Sequence, residues 1–431
     1  MQSKALAMAV AVGLGVSSFS AVAATSDSTT KHHHRHHRAA AAAPATNVVA
    51  YDPAAEMAQR DQEIAELKQA LASVQERLGE IEQRTDAQSD INVATQQNVE
   101  KLQADGAKVD KVVKQVNDNT VTGKAYIDIT GVSQKSHGVK TSASGIGLDV
   151  KRFYFSVTHQ FNDIWSANLT TDFNYVSNDS ETQLFVKKAY LQGKFSDAFV
   201  FRAGSADMPW IPYVENYYGF RYVENTLIDR LKFGNSADWG LNVGGKVAGG
   251  AVDYSVSAVN GGGYKNPTRT DRMDFEGRIG FQPMQNTVIA VGAYSGTLGK
   301  QTKTVDAMHN ADRVDAMAAY ANGSNRFGIE YFQANNWTTV LSPLTDKANG
   351  YSIWGSLGLG NSMAVFARYD RVKPSKDLNP SLTDQYYNLG LEFPIYKGVK
   401  WSTVYKHEVL RDHGATDTKT DEFGVWGEVA F

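Results

Sequence analysis

The chain has 431 residues, with 43 Lys and Arg against 46 Asp and Glu for a formal net charge of -3, and it contains no cysteine. That balance gives no electrostatic case for a nucleic-acid partner, and without disulfides an exported chain of this length must be held by sheet closure and packing. Mean hydropathy is -0.37, and beyond the N-terminal segment no run of about 18 apolar residues occurs, which excludes a helical membrane protein but not one whose strands are apolar only at alternate positions.

Lys4 precedes an apolar stretch from Ala5 to Phe19 that ends in Ala21-Val22-Ala23. These are the charged, apolar and small-residue parts of a secretory signal, cut near Ala23. Residues 24–53 are Ser/Thr-rich, then read Lys31-His32-His33-His34-Arg35-His36-His37-Arg38, then turn to alanine with two prolines, the composition of a disordered linker. Neutral imidazole is a good transition-metal ligand, but no carboxylate or second His cluster lies nearby to fix a geometry, so the reading is a solvated basic spacer and no metal site.

Residues 54–118 change to a heptad pattern. Ile64, Leu67, Leu71, Val74, Leu78 and Ile81 alternate spacings of three and four; the register passes through Thr85, Gln88, Asn92 and Thr95 and returns at Val99, Leu102, Gly106, Val109, Val113 and Val116. An unbroken seam with a polar middle predicts an α-helical coiled coil in a parallel homo-oligomer. At about 1.5 Å per residue it reaches on the order of 80 Å, enough to cross much of a periplasm and to meet peptidoglycan or periplasmic proteins.

From 121 to 431 the period becomes two. In the segment from Trp165 to Tyr175, Trp165, Ala167, Leu169, Thr171, Phe173 and Tyr175 share one side, and Ser166, Asn168, Thr170, Asp172 and Asn174 the other. About sixteen such segments occur, the alternation being weakest near 287–298 and 312–322. Short connections such as Asn162-Asp163, Ser196-Asp197 and Gly249-Gly250 alternate with long ones, the longest being 205–237. The tail puts Phe423, Val425, Gly427, Val429 and Phe431 on one side and Glu422, Gly424, Trp426 and Glu428 on the other, similar to the terminal strand of outer-membrane barrels. The predicted fold is an all-β transmembrane barrel of about 16 antiparallel strands with both ends at the periplasmic side, preceded by the coiled coil.

Arg152-Phe-Tyr-Phe, Val186-Lys-Lys-Ala-Tyr-Leu, Phe201-Arg-Ala-Gly, Leu227-Ile-Asp-Arg and Ala237-Asp-Trp-Gly-Leu-Asn-Val-Gly-Gly carry a family resemblance. On them residues 121–431 resemble the sixteen-stranded trimeric porins, and within these the phosphate-selective porin O/P group. The resemblance implies a homotrimer in the bacterial outer membrane, a water-filled diffusion channel for small hydrophilic solutes and ions with an anion or phosphate preference, and no cofactor.

Alternation gives the wall of such a channel. The cations on the wet side are Arg152, Lys188, Lys194, Arg202, Lys246, Arg278, Arg326, Arg368 and Lys406; they face Asp172, Asp253, Asp274, Glu276, Glu330, Asp370, Glu392 and Glu428. A wall this mixed selects weakly unless the narrowest point is biased. The long loop is expected to fold inward and form that point, with Arg202, Asp207, Glu215, Arg221, Glu224, Asp229, Arg230 and Lys232 as the constriction residues. Its Trp210, Tyr213, Tyr217 and Tyr218 either form a track for sugars or wedge the loop against the wall. The Gly-rich stretch from Asn260 to Tyr264, with no helix after it, reads as a flexible external loop. An enzyme is not expected. His159 and His407 fall on the predicted lipid side, His137, His309 and His413 fall in loops, and no nucleophile motif accompanies them. A structural tether between outer membrane and periplasm is the alternative role for a barrel joined to a coil.

Overall fold

The computed structural model describes residues 52–176, 181–412 and 417–431. The secretory signal and all but the end of the His-rich linker lie outside the described residues, as does His413. The chain divides into two units, one ending at Gln96 and one from Gln97.

Helix α1 (Pro53–Asn117) runs continuously through the heptad region. The polar middle does not break it: Thr85 and Thr95 satisfy their hydroxyls at the Ile81 and Ile91 carbonyls one turn back (2.8 and 2.7 Å), and the Gln88–Asn92 pair one turn on (3.0 Å) adds a stabilising i,i+4 contact. None of its residues is buried, and seam residues such as Leu67 and Leu102 are 69 and 71% exposed. A single helix has nothing to cover that seam with.

The second unit is a closed sheet. Its strands in chain order are β1 (Asn119–Ser136), β2 (Val139–Lys140), β3 (Gly145–Gln160), β4 (Trp165–Val176), β5 (Glu181–Ser196), β6 (Phe199–Asp207), β7 (Ala237–Val247), β8 (Val252–Val259), β9 (Asp274–Phe281) and β10 (Thr287–Gly296). They continue with β11 (Ala311–Asn322), β12 (Asn325–Asn335), β13 (Lys347–Gly360), β14 (Met363–Lys373), β15 (Thr383–Tyr396), β16 (Val399–Arg411) and β17 (Thr418–Ala430). Strand β2 is a two-residue extension of the first long connection, so sixteen long strands form the wall, each antiparallel to its neighbours. The last meets the first from Lys124 opposite Ala430 to Ser136 opposite Thr418. Phe431 completes the seam: its N–H donates to the Gly123 carbonyl (3.0 Å) and Gly123 returns the bond (2.8 Å). The Phe431 ring lies over Gly123, where a Cβ would collide with it.

Period two decides what each strand buries. Along β14, Ala364, Phe366, Arg368, Asp370 and Val372 point into the barrel and are buried, while Val365, Ala367, Tyr369, Arg371 and Lys373 alternate with them on the outside. Exposed Ile289, Val291, Ile329, Ile353, Leu357, Leu389, Leu391 and Phe423 continue that apolar exterior, a surface that hydrocarbon accommodates and water does not.

The connection between β6 and β7 folds into the barrel. It carries α2 (Ile211–Tyr218), started by Pro212 and stopped by Gly219 at φ +79, and the single turn α3 (Leu227–Arg230). Trp210, Ile211, Val214, Tyr218, Phe220, Leu227 and Ile228 are buried in one cluster with Val288, Ala290, Met317, Ala319, Phe332, Trp354 and Phe366 from the wall. Phe220 stacks on Phe366 with centroids 4.1 Å apart, and a Cβ on Gly292 would run into the Trp210 ring. Strands β10 and β11 show the weakest alternation in the sequence for this reason. Their inner side receives the apolar underside of the loop at Val288, Ala290, Met317 and Ala319, so apolar residues face both ways there, while Arg313 and Asp315 keep the first half of β11 charged inside.

Candidate functional site: the passage beside the inward loop

Wall cations hold the loop by its backbone. Arg278 donates to the Pro209 carbonyl (3.0 Å), Arg326 to those of Asn216 and Tyr217 (2.8 and 3.1 Å), Arg368 to that of Asn225 (2.5 Å), and Lys406 and Lys151 both to that of Val223 (3.0 and 3.1 Å). Arg313 does the same at the Phe233 carbonyl. An irregular segment inside a barrel has carbonyls that no strand ladder serves, and a charge-assisted donor satisfies each strongly. Arg278, Arg326 and Arg368, expected as free wall charges, therefore act as clamps.

The loop's own charges divide. Arg230 bonds Asp370 (3.2 Å), Asp384 (2.6 Å) and Glu408, three carboxylates on three strands. Arg221 pairs within the loop with Glu215 (2.7 Å) and Asp229 (3.2 Å), and Glu224 meets Lys406 (3.2 Å). Asp207 is taken by Lys188 (2.6 Å). Trp210 is fully buried, donating from its backbone to Glu276 (2.9 Å) and from its indole to Glu330 (2.8 Å), and Tyr218 is 2% exposed. Neither offers a ring to a solute. Tyr213 and Tyr217 remain at the cavity edge, but the Arg278 guanidinium sits 3.5 Å from the Tyr213 ring centroid. Trp210 and Tyr218 thus wedge the loop against the wall, while Tyr213 and Tyr217 line the larger cavity.

With the loop seated on β10–β16, open space remains against the other half of the wall. Toward the long-loop end a cavity of about 340 Å³ is lined by Arg152, Lys187, Arg221, Lys232 and Lys265 among others. Toward the short-turn end a larger one of about 1190 Å³ is lined by Lys194, Arg202, Lys246 and Arg278 with Asp197 and Asp253. The acids here are engaged: Asp172 by Arg152 (3.0 Å) and the Tyr264 hydroxyl (2.6 Å), Asp197 by Lys194 (2.8 Å), and Asp253 by Arg278 and Tyr213. Among the described residues, Lys187, Arg202, Lys232, Lys246 and Lys265 have no carboxylate within 4 Å. Lys187 lies over the Tyr154 ring (4.6 Å), Lys265 over Phe185 (4.5 Å), and Arg202 over Tyr190 (5.5 Å) while donating to the amide oxygens of Gln192 (2.8 Å) and Asn242 (3.4 Å).

Lys151, Lys187 and Lys265 are residues that alternation does not find. The pairing of β3 with β1 slips between Tyr126 and Ile127, leaving Lys151 as an extra residue, and the pairing of β5 with β4 slips between Thr170 and Thr171, leaving Lys187 extra. A bulge puts two consecutive side chains on one side, so Lys151 joins Arg152 inside and Lys187 joins Lys188. Lys265 follows the glycine run, which is pinned: Gly263 donates to Asp238 (3.0 Å), and Gly261 and Gly263 hold φ of +87 and +76. The stretch expected to be flexible is a wall of the cavity. Burial first, then Arg152, Lys232 and Lys187 nearby, push the Lys265 ammonium down to about 8 despite the opposing pull of Asp172.

A closed barrel of sixteen long strands, apolar outside, charged inside and narrowed by an inward loop, is the porin fold. Solved structures agree. An anion-selective porin from Comamonas acidovorans matches with TM-score 0.52 at 13% identity over 73% of this chain and 99% of its own. The outer membrane channel DcaP of Acinetobacter baumannii gives 0.52 at 12% over 73% and 97%, and OmpF of Salmonella typhi, solved with daunomycin, gives 0.51 at 10% over 73% and 97%. No family model and no curated protein matches the sequence.

Proposed function

We propose that the protein is an outer-membrane porin that passes small hydrophilic solutes, with a preference for anions, along the space between the inward loop and strands β3–β9. The observation that carries this reading is the set of cations there without carboxylate partners: Lys187, Arg202, Lys232, Lys246 and Lys265. The acids lining the same space are ion-paired, Asp197 to Lys194, Asp253 to Arg278 and Asp229 to Arg221, which also serves Glu215, and the five unpaired cations exceed the one acid left uncompensated by that sharing, so the local field is positive although the chain as a whole is slightly negative. Fields concentrate where water is thin, which lets these few charges outweigh a balanced wall. Phosphate, toward which the O/P resemblance points, is one anion that such a row of ammonium and guanidinium groups would accept.

Planar-bilayer recording in a potassium chloride gradient tests the reading. Its expected outcome is a reversal potential on the anion side, with added phosphate reducing chloride current. A cation-side potential, or no conductance from correctly folded barrels, overturns it.

The exposed seam of α1 supports assembly in the same reading: three copies wound together in the periplasm would bury Leu67, Leu71, Leu78 and Leu102 and hold a trimer of barrels. Deleting residues 64–116 should weaken the oligomer in detergent while the β signal of the barrel persists. An oligomer of unchanged mass ratio would contradict that role.

A further inference from the structure

The larger cavity, toward the short turns, is lined by neutral polar groups as well as charges. Arg202 is braced there by uncharged partners: its Nε donates to the Gln192 side-chain oxygen (2.8 Å), one Nη to that of Asn242 (3.4 Å), and its guanidinium lies over Tyr190 (5.5 Å). Gln192 and Asn242 are fixed in turn, Gln192 by donating to Ser166 (3.4 Å) and Asn242 by donating to Ser255 and Ser257 (3.0 and 2.8 Å). Neutral acceptors orient a guanidinium without cancelling its charge, and the second Nη makes no hydrogen bond among the described residues. Lys246, four residues along β7 from Asn242, is on the same side of the sheet and exposed. The two acids of the cavity, Asp197 and Asp253, are held by Lys194 and Arg278.

The inward loop supplies the opposite side. Asn216 and Tyr217 stand on α2, and Arg326 clamps the backbone carbonyls of both (2.8 and 3.1 Å), so their side chains project from a fixed element. Tyr217 packs on Tyr213 with centroids 5.3 Å apart, and the Tyr213 hydroxyl donates to Asp253 (3.0 Å). The side-chain amides of Asn216 and of Gln282, which follows β9, make no hydrogen bond among the described residues, and both line the cavity. A free amide offers donors and an acceptor, and a sugar hydroxyl is both at once. Chloride would use the cations and leave the amides idle. A neutral sugar would use the amides and leave the guanidinium idle. A carboxylate carried on a hydroxylated ring uses both, with Tyr217 as an apolar surface for the C–H side of that ring. The volume of about 1190 Å³ holds such a ring with bridging water.

We propose that this cavity binds monosaccharides that bear a carboxylate, with Arg202 and Lys246 on the carboxylate and Asn216, Gln282 and Tyr217 on the hydroxylated ring. The proposal rests on the channel reading and narrows the solutes that the channel favours.

Chloride current through single channels, recorded as glucuronate is added, tests it against two controls. Cyclohexanecarboxylate has the same ring size and charge but no hydroxyl, and glucose has the hydroxyls but no charge. Glucuronate should halve the current at a concentration about tenfold or more below that of either control. In R202Q both carboxylates should weaken together, whereas in N216A/Q282A the advantage of glucuronate over cyclohexanecarboxylate should shrink to about twofold or less. That ratio is read on one conducting channel, so loss of folded protein does not enter it. A reversal potential on the cation side overturns the channel reading before any solute is added. With the potential on the anion side, equal block by glucuronate and cyclohexanecarboxylate, block by glucose as strong as by glucuronate, or an undiminished advantage in N216A/Q282A would each overturn the sugar-acid site and leave the channel reading standing.

Discussion

The two halves of the barrel interior use the same residue types to different ends. On β10–β17 nearly every charge has a partner: Arg313 sits against Asp315 (2.9 Å), Arg368 against Asp370 (2.7 Å), Arg230 against three carboxylates, and Lys400 against Glu392 and Glu428 (3.2 and 3.6 Å). Beside β3–β9, among the described residues, five cations have none: Lys187, Arg202 and Lys246 on β5–β7, Lys265 in the β8–β9 connection and Lys232 on the loop itself. The first half is where the loop is seated, and desolvated charges there need partners or they unfold the site. The second half faces open space, where water can solvate a lone ammonium and a passing anion can replace that water. A count of wall charges averages these halves into neutrality; the position of the loop separates them.

The comparison is broken most forcefully by unseating the loop. Trp210→Ala removes a fully buried ring and leaves the Glu330 carboxylate without its indole donor, a loss of about 3–5 kcal/mol. Urea denaturation in detergent should show the lower stability, and single-channel conductance should rise as the passage loses its inner boundary. Arg230→Ala leaves Asp370, Asp384 and Glu408 facing one another, costing about 3 kcal/mol, somewhat reduced because Glu408 is partly exposed. Stability should drop while selectivity stays nearly fixed, since these acids lie on the loop-bearing half. A selectivity change as large as that from a β3–β9 cation would erase the distinction between the halves.

A smaller effect sharpens it. Because the Lys265 ammonium is pushed down to about 8, raising the pH from 7 to 9 takes away a positive charge from the passage mouth that an ordinary lysine would keep. Anion preference should decline across that interval. In Lys265→Gln the preference should be lower at pH 7 and nearly flat with pH; an unchanged pH response in that variant would place the titrating group elsewhere.

Most of the fold was legible because period two needs no tertiary information: the strands, the short turns and the closing tail all repeat one local rule. The inward loop was legible from its length and charge. What the chain did not disclose is where the rule is suspended. At Lys151 and Lys187 a bulge turns an extra cation inward, and the only trace in the sequence is a doublet of basic residues, Lys151-Arg152 and Lys187-Lys188, on alternate strands. Pairing was equally hidden. Nothing in the spacing of Arg230, Asp370, Asp384 and Glu408 says that they meet, because the loop that joins them crosses the barrel. The faded alternation of 287–298 and of the second half of 312–322 was informative: apolar residues on both sides of a wall strand, as at Val288, Ala290, Met317 and Ala319, mark where something apolar docks inside.

What matters most is whether the uncompensated cations beside the passage, Lys187, Arg202, Lys232, Lys246 and Lys265, and not the paired loop arginines Arg221 and Arg230, set ion preference. Reversal potentials of Lys187→Gln/Arg202→Gln and of Arg221→Ala/Arg230→Ala, recorded at low salt where charges are screened least, decide it. The first variant should move markedly toward cations with the fold intact, and the second should move little for all its lower stability. The opposite order would contradict the account and return selectivity to the loop.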